Sequence, residues 1–383
     1  MRTYHVGILG SGVISRTYLA DIQKFYHELQ VTACADLDPG RAQALAGEFG
    51  VPKACTPEQL LEDDAIDIVV NLTPPQAHVA VDRQVIAAGK HLFSEKPFAP
   101  TLREAQELLD LAAQKGVQVG CAPDTFLASG LQSMRYYLDA GLIGRPFFVT
   151  ANMTGAGVET WHPNPGPFYR QGAGPVMDMG PYYLSAIVAL LGPIESIAAF
   201  SARPQAERRV YTGPQAGGTV PVETPTHYSA VLRLRSGAAV NLNLSFDVYR
   251  SNLPLFEIYG DEGTLTYPDP NFGGGTPQVY RKEQFTDLVY RQDAEAKARS
   301  ERFYPLPELF TRAKDYSRGI GVLDLARAIE TGQTARTGGA LLLHVTEAME
   351  GLLQAAQQGS IYRMTTTCDR PRPLAPGSAL DEV

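Results

Sequence analysis

The chain has 383 residues, and at about 150 residues per domain this length predicts two domains rather than one. Hydrophobic residues make up 44% of the chain and charged residues 19%, which is typical of a globular protein and excludes a disordered one. The 33 basic and 41 acidic residues give a net charge of −8, and because the chain has no long basic run we expect no nucleic-acid partner.

The longest uncharged apolar stretch, residues 179–194, contains two glycines and two prolines and is too short to cross a bilayer, so we predict a buried helix and no membrane association. Four cysteines are spaced too widely for a CxxC metal site or a dense disulfide framework: Cys34, Cys55, Cys121 and Cys368. Reduced thiols predict a cytoplasmic protein. The sequence has no HExxH motif, clustered Cys/His set or calcium-loop spacing, so we expect no bound metal.

From residue 4 to about residue 123, short apolar runs alternate with longer amphipathic stretches. The predicted strands are residues 4–9, 30–35, 66–72, 91–94 and 117–121. The predicted helices are residues 13–28, 40–49, 75–88 and 102–115. This alternation is typical of parallel strands joined by crossover helices, and it predicts a doubly wound sheet.

Beyond residue 123 the pattern changes to strands with period-two alternation. The predicted elements are a helix at 131–140, strands at 147–153, 194–202, 226–235 and 238–246, and a hairpin of 256–260 with 264–267. These strands favour an antiparallel sheet. The last amphipathic region, 321–358, predicts two helices that are interrupted near Gly338 and Gly339.

A glycine-rich turn follows the first predicted strand and precedes a helix. Gly10 would permit a tight turn, and Gly12 would let the backbone approach a pyrophosphate without a Cβ atom in the way. The N–H groups at the start of the helix, around Val13 and Ile14, would then face the anion. The segment predicts a dinucleotide-binding loop, and the alternative is an ordinary glycine turn.

Asp36 stands at the end of the second predicted strand, about 20 residues beyond the glycine loop, where an acid can accept hydrogen bonds from ribose hydroxyls. A carboxylate there would repel a 2′-phosphate, which favours NAD over NADP. Arg41, one helical turn away, could offset that repulsion, so NADP stays an alternative. Asp36 could also be only a turn residue.

The fourth predicted strand leads into Ser94-Glu95-Lys96-Pro97 at the carboxyl edge of the sheet, where open α/β sheets bind ligands. Together with the glycine loop, Asp36 and Thr73-Pro74-Pro75-Gln76-Ala77-His78, this tetrapeptide resembles the signature of the Gfo/Idh/MocA oxidoreductases. The resemblance implies cofactor contacts by the following residues of the two segments: Thr73, Pro74, His78, Glu95 and Lys96.

The segment from Gly172 to Tyr182 looks like the GGGxxxDxGxH motif of the same family, with Ala173 in place of the middle glycine and Tyr182 in place of histidine. Tyrosine here is similar to members of the glucose–fructose oxidoreductase and dihydrodiol dehydrogenase type. The resemblance implies an NAD(P)-binding Rossmann domain at 1–122 and an α/β domain for substrate binding and oligomerisation at 123–362. It further implies a large open sheet in the second domain, which the strand pattern predicts to be mainly antiparallel. Pro371, Pro373 and Pro376 predict an extended, frayed tail at 363–383.

Hydride exchange between a carbinol carbon and nicotinamide needs a group that takes or returns the hydroxyl proton. Tyr182 can serve if the ammonium group of Lys96 favours its phenolate, and the same cation would stabilise a developing alkoxide. Asp178, four residues before Tyr182, would share its helix face and could orient substrate hydroxyls or anchor Lys96. The alternatives are that Tyr182 or Tyr183 only packs in the core and that Asp178 is only a helix N-cap.

Trp161 and His162 lie in a proline-rich segment that also contains Asn164. An indole face can contact the C–H side of a sugar ring, while histidine and asparagine supply hydrogen bonds to hydroxyls, so we predict that all three bind substrate. His162 is the alternative proton carrier, because imidazole titrates near neutral pH. Asp124, at the crossing between the two halves, completes the predicted substrate set.

The sequence thus predicts an NAD(P)-dependent sugar dehydrogenase or reductase that acts on a CH–OH group of a sugar or related polyol. Two alternatives stay open: an enzyme that uses tightly bound NAD for transient oxidation during elimination or hydrolysis of a sugar substituent, and a non-catalytic regulator that senses a dinucleotide. The resemblance also implies a homodimer or homotetramer that pairs through the open sheet, with the predicted strands 226–235 and 238–246 on that face.

Overall fold

The computed structural model describes residues 2–310, 313, 317–374 and 376. These residues form two compact units. Unit 1 comprises the described residues of 1–128, 311–347 and 374–383, and unit 2 comprises those of 129–310 and 348–373. The chain therefore leaves unit 1 after residue 128 and returns to it after residue 310. The domain boundaries at 122 and 362 stay a prediction, and they differ from this division mainly in residues 311–347.

Unit 1 contains a six-stranded parallel sheet in the order β3-β2-β1-β4-β5-β6. Its strands are β1 (Tyr4–Leu9), β2 (Leu29–Ala35), β3 (Lys53–Cys55), β4 (Ile68–Asn71), β5 (His91–Ser94) and β6 (Val119–Cys121). Its connecting helices are α1 (Val13–Phe25), α2 (Pro39–Phe49), α3 (Pro57–Leu61), α4 (His78–Ala87) and α5 (Leu102–Lys115). This strand order is that of a dinucleotide-binding sheet, so the predicted Rossmann fold is confirmed.

Burial and capping explain why these segments form these elements. Residues 6–9 of β1 are all buried, which shows that both faces of the strand are covered and explains its continuous apolar run. Helix α5 begins where Thr101 accepts a hydrogen bond from the N–H of Glu104, and it ends at Gly116 in the left-handed conformation.

In unit 1 the structure adds one strand and one α-helix that the sequence pattern did not predict. Strand β3 has three residues and helix α3 has five, and both are too short to show a hydrophobic period. The predicted helix 75–88 is divided: a 3₁₀ turn at Pro75–Ala77 precedes α4.

Unit 2 is built on a nine-stranded sheet in the order β16-β15-β14-β13-β7-β12-β11-β8-β17. Two further strands of unit 2, β9 and β10, form a separate two-stranded ribbon. In chain order the strands of unit 2 are β7 (Pro146–Thr154), β8 (Ile194–Ala202), β9 (Glu207–Arg209), β10 (Thr219–Pro221), β11 (His227–Leu234), β12 (Ala239–Ser245), β13 (Phe256–Gly260), β14 (Gly263–Tyr267), β15 (Gln278–Arg281), β16 (Tyr304–Pro305) and β17 (Tyr362–Arg363). Its helices are α6 (Ser129–Asp139), α7 (Pro175–Leu191), α8 (Lys282–Arg291) and α9 (Ala294–Ser300).

The prediction of a large, mainly antiparallel sheet is confirmed, with one correction. Strands β7 and β12 pair in parallel, whereas the other pairings of this sheet are antiparallel. A parallel pair needs a crossover connection, and the chain between β7 and β12 supplies one that includes α7. The sheet is therefore mixed rather than purely antiparallel.

Helix α7 is the predicted buried helix, although it begins at Pro175 rather than at residue 179. Most of its residues are buried, and it packs against β7, β11 and β12. Within the described part of the chain, every helix is too short or too polar to cross a membrane. The two helices predicted within 321–358 are α10 (Ile320–Thr331), in unit 1, and α11 (Gly339–Gln358), whose residues up to 347 belong to unit 1.

Part of the predicted tail packs against unit 2. The N–H of Met364 donates to the carbonyl of Glu195, and Nη1 of Arg370 donates to the carbonyl of Leu190. Residue 375 and residues 377–383 of that tail lie outside the described residues.

Candidate active site

The glycine loop follows β1 and opens α1. Gly10 has a φ of 104°, and a Cβ atom there would lie 2.7 Å from the carbonyl carbon of Leu72, so only glycine fits. At Gly12, in contrast, a Cβ atom would meet no described atom within 4 Å. Packing within the chain therefore explains the glycine at position 10. At Gly12 no neighbouring atom requires a glycine, but the missing Cβ atom would let a ligand approach the backbone closely.

The N-terminus of α1 is suited to an anion. Among the described residues, no side chain caps this helix, and its first turn contains no acidic residue. The hydroxyl of Ser15 donates to the carbonyl of Gly12, and the side chain of Val13 is exposed while that of Ile14 is half-buried. The first N–H groups of a helix lack partners within the helix, so this end can receive a phosphate.

Asp36 follows β2 and lies beside the glycine loop. Its Oδ2 accepts a hydrogen bond of 2.8 Å from the N–H of Ser11, and its Oδ1 accepts one of 2.9 Å from the N–H of Asp38. Each carboxylate oxygen can accept a further hydrogen bond, so the group can still receive ribose hydroxyls. Arg41 forms an exposed ion pair with Asp38, with 3.6 Å between Nε and Oδ2.

The loop after β4 contains Thr73 and Pro74. The N–H and the hydroxyl of Thr73 both donate to Oδ1 of the buried Asn71, at 3.1 and 2.7 Å. The amide of Asn71 donates in turn to Oδ1 of Asp82, at 2.7 Å. Buried side chains therefore fix this loop at the carboxyl edge of the sheet, next to the glycine loop.

The buried ring of His78 lies between the loops that follow β4 and β5. Its Nδ1 is 2.9 Å from the carbonyl oxygen of Pro97, and its Nε2 is 2.8 Å from that of Thr73. A neutral imidazole has one N–H and donates to one of these carbonyls, whereas an imidazolium donates to both. Burial raises the pKa of Asp82, on the next turn of α4, to about 6, although the hydrogen bond from Asn71 and the nearby His78 lower it. His78 thus joins the two loops, and its contact with the cofactor stays a prediction.

Glu95 connects helix α1 to the loop after β5. Its Oε1 accepts a hydrogen bond of 3.0 Å from the hydroxyl of Tyr18, and its Oε2 accepts one of 2.9 Å from the N–H of Lys96. Burial, followed by the charge of Glu95, raises the pKa of Tyr18 well above its ordinary value, so this hydroxyl keeps its proton and remains a donor. Glu95 therefore positions the backbone of Lys96, whose side chain is half-buried.

Asp124 is fully buried within unit 1. Its Oδ2 accepts hydrogen bonds from the N–H groups of Gly319 and Gly321 at the start of α10, and Nη1 of Arg318 lies 3.7 Å from Oδ1. Burial raises the pKa of Asp124, while Arg318 and the N–H of Gly321 lower it. These contacts are those of a buried helix cap, and the substrate contact of Asp124 stays a prediction.

In unit 2, Asp178 and Tyr182 lie one turn apart on α7. The N-cap of this helix is Gly174, and the N–H of Asp178 donates to its carbonyl, so the alternative that Asp178 is an N-cap is wrong. Tyr182 is buried. The neighbouring Tyr183 is buried as well: its hydroxyl donates to Oδ1 of Asp269 at 3.0 Å, and burial raises its pKa far above the ordinary value.

The turn that carries Trp161 and His162 is an aromatic cluster at the surface of unit 2. The side chain of Trp161 is 64% exposed, its ring meets that of His162 edge-on, and His162 meets Phe168 in the same way. The N–H of Asn164 donates to Nδ1 of His162 at 3.1 Å, so Nδ1 carries a lone pair and the neutral ring has its proton on Nε2. In that tautomer Nε2 is a hydrogen-bond donor, which favours His162 as a ligand for a substrate oxygen rather than as a base.

Two family models match the chain. Residues 4–122 match the oxidoreductase family with an NAD-binding Rossmann fold, and residues 131–266 match the GFO/IDH/MocA C-terminal domain. The chain belongs to the Gfo/Idh/MocA oxidoreductase family.

Relatives in this family include named dehydrogenases. The chain is 26% identical to D-xylose 1-dehydrogenase (NADP(+)) 2 of Haloferax volcanii over 94% of this chain and 99% of that protein. It is 29% identical to D-glucoside 3-dehydrogenase of Escherichia coli over 51% of this chain and 57% of that protein. The fold is similar to that of a levoglucosan dehydrogenase in complex with NADH and L-sorbose, with a TM-score of 0.76, 19% identity, and coverage of 96% of this chain and 100% of that one.

The residues of unit 1 fit the NAD(P) cofactor of a Gfo/Idh/MocA oxidoreductase. Gly12 leaves the backbone open, the start of α1 offers N–H groups, and Asp36 offers carboxylate oxygens at the end of β2. Bound nicotinamide would supply or accept the hydride. No group of three or more His, Cys, Asp or Glu side chains within the described ranges is arranged to hold a metal ion, and the absence of a metal stays a prediction.

Three residues with contacts at these sites were missed by sequence reasoning. Tyr18 looks like an ordinary core residue of α1, and Asn71 looks like the end of an apolar strand. Arg208 lies in a polar segment that reads as surface, yet it is buried. The side-chain partners of Tyr18 and Arg208 are distant in sequence, so no local pattern points to these two residues.

Proposed function

We propose that this chain is an NAD-dependent dehydrogenase that exchanges hydride between nicotinamide and a hydroxyl-bearing carbon of a sugar or related polyol. One observation carries the proposal: the chain combines a glycine loop beside Asp36, a lysine whose backbone N–H donates to Glu95 after β5, and an Asp178–Tyr182 pair on one helix face. The names of its relatives, which include xylose, inositol, levoglucosan and glucoside dehydrogenases, support the substrate class.

In the proposed mechanism, Oη of Tyr182 takes the proton of the substrate hydroxyl as the carbinol becomes a carbonyl. Nζ of Lys96 stabilises the phenolate and the developing alkoxide, since a neighbouring cation favours the anionic form of each. Asp178 orients a second hydroxyl. Trp161 and His162 contact the sugar, and His162 donates through Nε2. The proposal requires that Lys96 and Tyr182 reach the same hydroxyl.

The test follows the absorbance of reduced nicotinamide with NAD or NADP and a panel of sugars and polyols. Tyr182→Phe should lower kcat by about a hundredfold or more, because general acid–base groups contribute about 10²–10⁴-fold. Tyr183→Phe is the matched control, since it changes the adjacent buried phenol and should alter stability rather than kcat. Lys96→Met should also lower kcat. Full turnover in Tyr182→Phe and Lys96→Met would overturn the proposed proton route.

The same assay distinguishes the alternatives. Product formation without net reduced nicotinamide would indicate transient oxidation by tightly held NAD. Binding of the cofactor without conversion of any sugar or polyol would indicate a non-catalytic regulator. The relatives are named as dehydrogenases, which favours an enzyme instead.

We further propose a homodimer or homotetramer that pairs through the open face of the large sheet. Phe200 is 75% exposed and Val231 53% exposed, and the register of β8 with β11 places them on one face. On the same sheet, the rings of Phe148 and Tyr259 stack at 5.2 Å. Light scattering should show an oligomer, and Phe200→Glu should weaken it. A monomer at micromolar concentration would contradict the proposal.

We keep the predicted cytoplasmic location as part of the proposal. All four cysteines have free thiols, which fits a reducing compartment. Fractionation of the source cells would test it, and recovery of the protein outside the cytoplasm would contradict it.

A further inference from the structure

The turn that carries Trp161 rests on a small cluster of apolar side chains in unit 2. The cluster joins the turn, the β9–β10 ribbon and the end of β12 through these buried side chains: Val158, Tyr169, Val210, Val220, Val222 and Phe246. A two-stranded ribbon is marginally stable on its own, so the ribbon and the turn depend on each other for burial. The apolar cluster and the β9–β10 ribbon therefore set the geometry of the Trp161 turn.

The guanidinium of Arg208, on β9, lies over the ring of Tyr169, 5.4 Å from its centroid, and is almost fully buried. Its Nη1 donates to the carbonyl of Ala156 at 3.1 Å and to Oε1 of Glu159 at 2.5 Å. Its Nη2 donates to the carbonyl of Phe246 at 2.9 Å and to Oδ1 of Asp247. One side chain thus connects the start of the turn to the end of a central strand.

Two hydroxyl groups complete the network. The hydroxyl of Tyr169 donates to Oε2 of Glu159, and the hydroxyl of Thr226 donates to Oδ2 of Asp247 at 2.6 Å. One cation faces two carboxylates, the buried one of Glu159 and the half-buried one of Asp247, and each carboxylate accepts from both Arg208 and a hydroxyl donor. Charged hydrogen bonds in a low-dielectric interior are strong and directional, and such a network fixes the segments that it joins.

The network acts on the backbone directly before Trp161. The N–H groups of Trp161 and His162 both donate to the carbonyl of Val158, and the N–H of Tyr211 donates to the carbonyl of Glu159. Gly157 has a φ of 102°, and a Cβ atom there would clash with Nη1 of Arg208. The turn is thus shaped around the guanidinium.

We propose that Arg208 is a positioning residue for the substrate site: it holds the turn that presents Trp161 and His162 in one orientation. The inference rests on the proposed function insofar as that turn contacts the sugar. Arg208 itself is buried and acts through Glu159 rather than on the substrate.

The experiment uses Arg208→Lys in the full chain. Lysine keeps the charge but cannot donate to Glu159, Asp247 and two carbonyls at once. Because Trp161 is the only tryptophan of the chain, its fluorescence reports the turn directly. We expect lower steady-state anisotropy of Trp161, and a sugar KM raised about tenfold to a hundredfold with a smaller change in kcat. NADH binding, read from nicotinamide fluorescence, should stay as in the wild type.

Arg135→Lys is the matched control, because Arg135 is a buried arginine of the same unit that bonds to Asp139 and to the carbonyl of Ala189. It should leave the anisotropy of Trp161 and the sugar KM unchanged. Glu159→Gln is a second variant of conserved size that removes the charge paired with Arg208, and it should change both readouts in the same direction as Arg208→Lys.

The outcomes separate the two proposals. Wild-type anisotropy in both Arg208→Lys and Glu159→Gln, or an equal change in Arg135→Lys, would overturn the positioning role. If the wild-type chain oxidises no sugar, the proposed function fails, and the anisotropy alone decides whether Arg208 fixes the turn. Lower anisotropy with an unchanged sugar KM would show that the turn lies outside the substrate site, and it would overturn the inference.

Discussion

Replacing Asp124 by alanine tests whether this residue supports the fold or contacts the substrate. The carboxylate is 0% exposed and accepts hydrogen bonds of 3.2 and 2.9 Å from the N–H groups of Gly319 and Gly321. It also forms the ion pair with Arg318, which is itself 2% exposed. Alanine would therefore leave two helix-terminal donors and a buried guanidinium without this partner.

The expected loss of stability follows from these contacts. Removing one partner of a buried ion pair costs about 3–5 kcal/mol, and leaving a buried donor unsatisfied costs about 1–3 kcal/mol. These costs do not add fully, because water can enter the space left by the carboxylate. We therefore expect Asp124→Ala to lower the free energy of unfolding by about 4 kcal/mol. That is a large part of the roughly 5–15 kcal/mol that stabilises a typical domain.

Urea unfolding followed by circular dichroism measures the effect, and NAD identifies the transition of unit 1 because a ligand stabilises the unit that binds it. Asp38→Ala is the control: Asp38 caps α2 by accepting from the N–H of Gly40 at an exposed site, and its loss should cost about 1 kcal/mol. If Asp124→Ala unfolds like the wild type and instead raises the sugar KM, the reasoning from burial is wrong and the substrate contact predicted from the sequence is right.

Three further predictions concern unit 1. Asp36→Ala should lower kcat/KM for NAD about tenfold to a hundredfold and shift the cofactor preference toward NADP, because charged hydrogen bonds contribute about 1.5–3 kcal/mol. Burial raises the pKa of Asp82 from 3.8 to about 6. Over this pH range the stability of Asp82→Asn should therefore increase relative to that of the wild type. A carboxyl with a raised folded-state pKa binds its proton more tightly when folded, so the wild type loses stability as the pH rises through that window, and unfolding at several pH values measures the difference. Tyr18→Phe should lower the free energy of unfolding by about 1–3 kcal/mol, because Oε1 of Glu95 loses a buried hydrogen-bond donor. The same variant should lower kcat, because Glu95 positions the N–H of Lys96.

Each of these predictions has a contradicting result. An unchanged ratio of NAD to NADP turnover in Asp36→Ala would remove this carboxylate from cofactor recognition. A stability difference between Asp82→Asn and the wild type that is constant with pH would show that Asp82 titrates normally. Wild-type kcat in Tyr18→Phe would mean that Glu95 holds Lys96 without the tyrosine.

Elements with strong local signals could be predicted from the sequence. The bounds of β1, β5 and β8 match their predicted ranges because glycine, a charged residue or a turn follows each strand directly. The bounds of α5 also match, since Thr101 begins the helix and Gly116 ends it. Local chemistry decides these positions, so local pattern is sufficient.

The site residues whose role depends on distant partners could not be predicted. Asp124 reads as a polar residue at a domain crossing, but its backbone partners are almost two hundred residues further along the chain. Arg208 reads as a surface charge, but Glu159 and Asp247 bury it from two other elements. Tertiary contacts of this kind leave no periodic trace in the sequence.

The return of the chain to unit 1 affects how this protein can be made and divided. Helix α10, which packs against β5 and β6, belongs to unit 1 although all of unit 2 up to residue 310 precedes it in the chain. A fragment that ends at residue 128 would therefore lack the helix that Asp124 caps. During synthesis, part of the core of unit 1 would stay uncovered until the ribosome has translated α10. Unit 1 therefore completes its folding late in synthesis.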